Sequence, residues 1–116
     1  MPYSRGDVVL VLFPDSNLRT AKRRPAMVVQ ADDLNTGLRQ TIVAMITSNM
    51  NRAGHTSRVS FTKESAQGRQ MGLLSDSVLM TDNLVTVLDG EIDRAIGQCP
   101  DRPDVDAALR HTFGLD

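Results

Sequence analysis

The sequence predicts a mainly β fold closed by one C-terminal helix. Six or seven short apolar runs are separated by turn-forming residues at close spacing. Only one segment, near the end, repeats its apolar residues at helical spacing. Short strands joined by turns, without alternating helices, point to a compact β-barrel or sandwich rather than a parallel α/β fold.

The elements follow in order. Gly6–Asp7 opens the run Val8 to Phe13, whose β-branched and apolar residues suit a buried strand, and Pro14 stops it. Residues 14–24 are polar and basic without periodicity, which predicts a loop. Ala26 to Val29 is the second strand. Asp32–Asp33 and Asn35–Thr36–Gly37 are turn chemistry within a loop spanning 31–40. Thr41 to Ile46 is a third buried strand, and Thr47 to His55 is a loop. Ser57 to Phe61 alternates polar and apolar, as a half-buried strand does. Thr62 to Met71 is polar and loop-like. Ser77 to Met80 and Leu84 to Leu88 read as two short strands flanking Thr81–Asp82–Asn83. Asp89–Gly90 is a turn, and Arg94 to Gly97 a last short strand. Pro103 to Phe113 is the helix: Val105, Leu109 and Phe113 line one face, Asp101 and Asp104 sit at its start, and Gly114 follows its end.

The 116 residues are the size of one ordinary domain, 1–116, long enough to bury a core without staples. Aromatic residues make up 3%, which counts against a surface that stacks many bases on aromatic faces. Cys99 is the one cysteine, so neither an internal disulfide nor a zinc set is available to it. His55 and His111 are too few and too isolated to suggest a metal site, and no cofactor is expected. No run approaches the roughly 18 apolar residues that span a bilayer, and the N-terminus MPYSRGD lacks an apolar signal core. A cytoplasmic protein is expected, with no membrane partner.

Net charge is −1, but it is unevenly laid out. Residues 1–58 carry eight Lys/Arg against four Asp/Glu (+4), and residues 59–116 five against ten (−5). The asymmetry is a weak pointer to a polyanion-facing surface. Its densest local support is Arg19, Lys22, Arg23 and Arg24.

Five segments in order resemble the MazF/PemK toxin family: Arg5–Gly6–Asp7–Val8, Arg24–Pro25 with the following Ala26 to Val29, TIVAMITS from Thr41 to Ser48, the acid–amide pair Asp82–Asn83 within Ser77 to Thr86, and the amphipathic Val105 to Leu115. No one motif is specific; their common register over nearly the whole chain is. The resemblance implies an SH3-like small β-barrel acting as a homodimer, the toxin of a type II toxin–antitoxin pair. It implies sequence-specific, metal-independent cleavage of single-stranded RNA, leaving a 2′,3′-cyclic phosphate and a 5′-OH, and silencing by a cognate antitoxin.

On charge alone Arg24 reads as the solvated end of a basic loop; the resemblance makes it the catalytic arginine. Its planar guanidinium fits a phosphate, and Pro25 restricts its backbone to extended conformations. Thr47 matches the family's active-site threonine, and Ser48 follows it. Their hydroxyls can donate to a phosphate oxygen or bond local backbone at a strand end. Arg19, Lys22 and Arg23 fall where the family gates its groove, and are equally explained as solvated charges. Asp82 can orient an arginine or accept a base-edge proton, and Asn83 can read a base edge; in isolation the pair is common turn chemistry. One departure bears on mechanism. Many members carry a glutamate, proposed as general base, where this chain has Arg19, which cannot serve as a base near neutral pH. Proton abstraction then falls to Asp82, His55 or water. Two other readings compete: a catalytically degenerate member of the family, and a CcdB-like gyrase-binding toxin, which the C-terminal FGLD without Trp disfavours.

Overall fold

The computed structural model describes residues 3–14, 17, 19–99 and 102–115. Among them the elements run β1 Asp7–Pro14, β2 Ala21–Val28, β3 Gln40–Thr47, β4 Arg58–Phe61, α1 Ala66–Gln70, β5 Ser77–Leu88, β6 Ile92–Gln98 and α2 Pro103–Phe113. All strands pair antiparallel in one sheet, ordered β4-β5-β3-β2-β1-β6. The mainly β class with a C-terminal helix is therefore the observed one.

Strand alternation divides the core in two. Val8, Met27, Ala44, Ile46 and Leu79 face Val105 and Ala108 of α2. Val9, Val11, Ala26, Val28, Val43 and Met45 form the second cluster with Val87 and Ile92. Val9, Val11, Val28 and Val43 have no exposed surface, so the sheet curls over its second face instead of leaving it wet. Burial on both faces is why these strands read as continuous apolar runs.

Pairing does not continue from β4 to β6, so the curl is open there. The excursion between β4 and β5 meets β6 instead. A Cβ on Gly97 would lie 2.3 Å from the Met71 carbonyl carbon and 2.4 Å from the Gln70 oxygen. One on Gly72, whose φ is +75°, would lie 2.3 Å from the Ile96 oxygen. Backbone therefore packs on backbone where α1 ends and β6 passes. Two bulges in β6 leave Asp93 and Ile96 without partners in β1.

Several elements differ from the sequence reading. Residues 21–24 are strand rather than loop, because the β1–β2 ladder runs out to Pro14↔Ala21. Both faces of that stretch are exposed, so no apolar alternation marks it. The two strands around Thr81–Asn83 are one. Ala44 pairs with Leu84 and Met45 with Met80, so three residues of β5 bulge out of a continuous strand. Residues 62–71 contain α1, N-capped by the Ser65 hydroxyl, which accepts from the Gly68 N–H at 3.0 Å. Five residues are too few to show a helical period. The last strand is longer than Arg94 to Gly97. The C-terminal helix has the expected bounds and ends on Gly114 at φ 67°. Its buried face is Val105 and Ala108 with Leu109 half-buried, while Phe113 turns outward, 57% exposed. Asp101 lies outside the described residues.

Gly97→Ala is expected to cost about 1–3 kcal/mol of unfolding free energy in urea melts, by overpacking against Met71. Gly90→Ala, where nothing lies within 4 Å of the added carbon, should stay within about 0.5 kcal/mol of wild type. Equal stabilities would mean that α1 and β6 do not meet backbone to backbone.

Candidate nucleic-acid interface

One groove of about 560 Å³ opens where five strands and the loop before β5 converge. Strand β2 contributes Arg23, Arg24 and Pro25; the end of β3 contributes Met45, Ile46, Thr47 and Ser48; β5 contributes Ser77, Met80 and Asn83. Leu10, Phe13, Leu73 and Ile96 supply an apolar wall. A second chamber of about 370 Å³ is lined by Thr47, Asn49, Arg52, Arg58, Met80, Asp82 and Asn83. Thr47, Met80 and Asn83 line both, so the two adjoin.

Arg24 sits opposite Val11 on β2, exposed at the rim, in the extended backbone that Pro25 requires. Arg23 is held: its Nε donates to Asp93 Oδ2 at 3.0 Å, a carboxylate brought forward by a β6 bulge. Thr47 Oγ1 accepts the Asn49 N–H at 3.1 Å, where the chain leaves β3. Accepting there leaves the hydroxyl hydrogen to donate. Asn49 in turn caps the 3-10 turn Met50–Arg52, its side chain accepting from the Asn51 N–H at 3.1 Å.

The β5 bulge places Asp82 against Arg58 of β4. Arg58 Nη2 donates to Asp82 Oδ2 at 2.8 Å and Nε to Oδ1 at 3.4 Å. Its Nη1 donates to the Arg52 carbonyl at 3.1 Å. These bonds from Arg58 hold the Asp82 carboxyl below the usual carboxylate range.

Of the residues singled out from sequence, the groove brings together Arg23, Arg24, Thr47, Ser48 and Asn83, and the second chamber adds Asp82. Arg19, Lys22 and His55 line neither. Arg19 ends a turn in which its N–H donates to Asn17 Oδ1 at 2.9 Å, and Lys22 is exposed on β2. His55 Nδ1 accepts the Ser57 N–H at 3.1 Å and lies 2.7 Å from the Ser57 hydroxyl, with the His111 ring 6.2 Å away. Arg52 and Arg58 escaped the sequence reading. Arg58 opens an alternating strand, where a polar residue signals only a solvent face. Its role depends on the register Arg58↔Met80, which places it beside a residue 24 positions on.

A family model described as "PemK-like, MazF-like toxin of type II toxin-antitoxin system" matches residues 4–113. The Mycobacterium tuberculosis endoribonuclease MazF6 is 30% identical over 119 residues, covering 99% of this chain and all of that protein. Among solved structures, the Mycobacterium tuberculosis toxin MazF-mt6 superposes with a TM-score of 0.72 at 22% identity, over 95% of this chain and 98% of that one. A mycobacterial endoribonuclease in complex with its cognate antitoxin superposes at 0.71 with 19% identity, over 98% and 97%. At these identities the structures speak for the fold.

Proposed function

The chain belongs to the PemK-like, MazF-like toxin family of type II toxin–antitoxin systems, and from that premise we propose that it is a sequence-specific endoribonuclease, a single toxin domain that cuts single-stranded RNA without a metal ion and so blocks translation. The observation that carries this reading is the convergence of Arg24, Thr47, Ser48 and Asn83 from three strands on one groove.

RNA carries its own nucleophile. The 2′-oxygen attacks the adjacent phosphorus, the bond to the 5′-oxygen breaks, and the products are a 2′,3′-cyclic phosphate and a 5′-OH. The five-coordinate phosphorus between them bears extra negative charge. Arg24 meets that charge with a rigid fork of N–H donors that stays cationic at any working pH. Thr47, already fixed by the Asn49 N–H, donates its hydroxyl hydrogen to a phosphate oxygen. Ser48 supports it, and Asn83 reads a base edge. Arg23 is anchored to Asp93 and contributes charge at the rim, while Arg19 and Lys22 attract flanking phosphates from outside the groove.

Neither Asp82 nor His55, nor Arg19 at the usual glutamate position, suits the first proton transfer. Arg19 releases no proton near neutral pH. Asp82 is kept ionised and weakly basic by Arg58. His55 lies outside both chambers with Nδ1 capped by Ser57. The 2′-OH proton therefore passes to solvent, the 5′-oxygen is protonated from solvent, and the rate rests on stabilising the phosphorane.

Purified protein incubated with a long structureless RNA in excess EDTA should give discrete fragments ending in 2′,3′-cyclic phosphate. Arg24→Ala should lower kcat by about 10²–10³-fold. Intact RNA after wild-type incubation would overturn the ribonuclease reading.

Proton loss to solvent predicts that log(kcat/KM) rises with a slope of about 1 from pH 6 to 8 and that His55→Ala stays within about threefold of wild type. A pH-independent rate near neutrality that becomes pH-dependent in His55→Ala would instead identify His55 as the base.

We further propose a cytoplasmic homodimer neutralised by an acidic segment of a cognate antitoxin laid across the basic groove. Leu38, Leu74, Leu88 and Leu115 are exposed apolar side chains that a second copy would bury where it covers them, and no helix among the described residues is long and apolar enough to cross a membrane. Sedimentation at micromolar concentration should show twice the chain mass, and the antitoxin should displace RNA; a monomer alone would remove the dimer from this reading.

A further inference from the structure

The Thr47 hydroxyl serves a phosphorane only if it is aimed. A threonine side chain has three staggered positions, and local hydrogen bonds choose among them. Thr47 stands at the end of β3, where Thr47↔Val78 is the last pair of the ladder. The chain beyond it selects the rotamer: the Asn49 N–H donates to Oγ1 at 3.1 Å. Asn49 is itself exposed and outside the ladder, so its own place must be fixed by something else.

That support can be followed bond by bond. The Asn49 carbonyl accepts the Arg52 N–H at 3.0 Å, and its side chain accepts the Asn51 N–H at 3.1 Å, which makes it the cap of the turn Met50–Arg52. No residue of the turn is buried. Hydrogen bonds rather than packing therefore hold it, and one of them comes from the sheet. Arg58, on β4, donates from Nη1 to the Arg52 carbonyl at 3.1 Å. Its other edge grips Asp82 on β5, Nη2 to Oδ2 at 2.8 Å and Nε to Oδ1 at 3.4 Å. A guanidinium is planar and rigid, so fixing one edge on a carboxylate aims the other at the carbonyl.

We propose that Arg58 is a positioning residue for the Thr47 hydroxyl: it ties the turn Met50–Arg52 to β4 and β5, and through Asn49 it keeps that hydroxyl pointed at the reacting phosphate. In this role Arg58 touches neither the phosphate nor a base. It acts on geometry, and misplacing a reacting group by about 1 Å lowers a rate by on the order of 10²-fold.

The inference rests on the ribonuclease reading of the groove. Its test is a double-mutant cycle on cleavage of the long RNA in excess EDTA. Binding of an uncleavable 2′-O-methyl oligonucleotide spanning a mapped cut is measured beside it. Thr47→Ala should lower kcat by about 10²–10³-fold, the loss of one preorganised donor. Arg58→Ala should lower kcat by about 10- to 100-fold and leave KM and oligonucleotide affinity within about twofold of wild type. The double variant should cut within about threefold of Thr47→Ala alone, because both changes remove the service of one hydroxyl. Arg58→Lys should resemble Arg58→Ala, since one ammonium cannot span carboxylate and carbonyl as a rigid fork does. Asn49→Ala removes the exposed cap and nothing buried. It should lower kcat by about three- to tenfold, and by nothing further in a Thr47→Ala background. That variant keeps the test decisive should Arg58→Ala fail to fold.

Losses that multiply in the double variants overturn this inference and leave the ribonuclease reading standing. So does a wild-type kcat in Arg58→Ala, or its full recovery in Arg58→Lys, which would make the charge itself the agent. A loss of oligonucleotide affinity with kcat unchanged overturns it as well. RNA left intact by the wild type overturns the ribonuclease reading, and this inference with it.

Discussion

The structure turns on three residues of β5 that have no partner in β3. Thr81, Asp82 and Asn83 leave the ladder between Leu84, which pairs with Ala44, and Met80, which pairs with Met45. Thr81 is fully buried. Its N–H and its hydroxyl both donate to the Ser57 carbonyl, at 3.0 and 2.6 Å. The Thr112 hydroxyl lies 2.8 Å from its oxygen and the Ala108 carbonyl 3.2 Å away. A buried polar group so fully satisfied is costly to displace. Thr81 therefore pins the bulge to β4 and α2, and the two residues after it are forced outward toward the groove.

That pin couples the core to the site. The helix that covers one sheet face supplies Ala108 and Thr112 to Thr81, and the strand that starts after Ser57 supplies Arg58 to Asp82. On the far side of the groove, Gly72 and Gly97 let the loop before β5 press against β6, which brings Leu73 and Ile96 into the apolar wall. Groove width is thus set by backbone packing on one side and by a buried hydroxyl on the other. Neither support belongs to a residue that touches substrate in the proposed mechanism.

The parts of this arrangement that sequence shows are those governed by local period. Val8 to Phe13, Thr41 to Ile46 and Pro103 to Phe113 declare themselves because burial on two faces, or on one helical stripe, leaves a pattern. The basic half of β2 leaves none, because both its faces are wet, and its pairing comes from β1 rather than from its own residues. The bulge shows only as turn chemistry at Asp82–Asn83, from which two strands and a turn are as good a reading as one bent strand. Arg24, Thr47, Ser48 and Asn83 were legible as a set through the family resemblance, and the fold does bring them to one groove. Arg58 was not, because its meaning lies in a cross-strand register that no local pattern records.

Charge shows the same division. The first half of the chain is basic and the second acidic, and the fold uses both where they meet. All four arginines lining the chambers, Arg23, Arg24, Arg52 and Arg58, come from the first half; the carboxylates that hold two of them, Asp93 and Asp82, come from the second. Exposed pairs of this kind contribute roughly 0–1 kcal/mol each, so their value lies in direction rather than stability. Asp82 makes the sign explicit. Hydrogen bonds from Arg58 lower its carboxyl pKa, so the pair is intact at neutral pH and loosens only on acidification below the ordinary carboxylate range. At neutral pH the Arg58–Asp82 pair is thus a fixed fitting beside a groove whose rim carries Arg23 and Arg24.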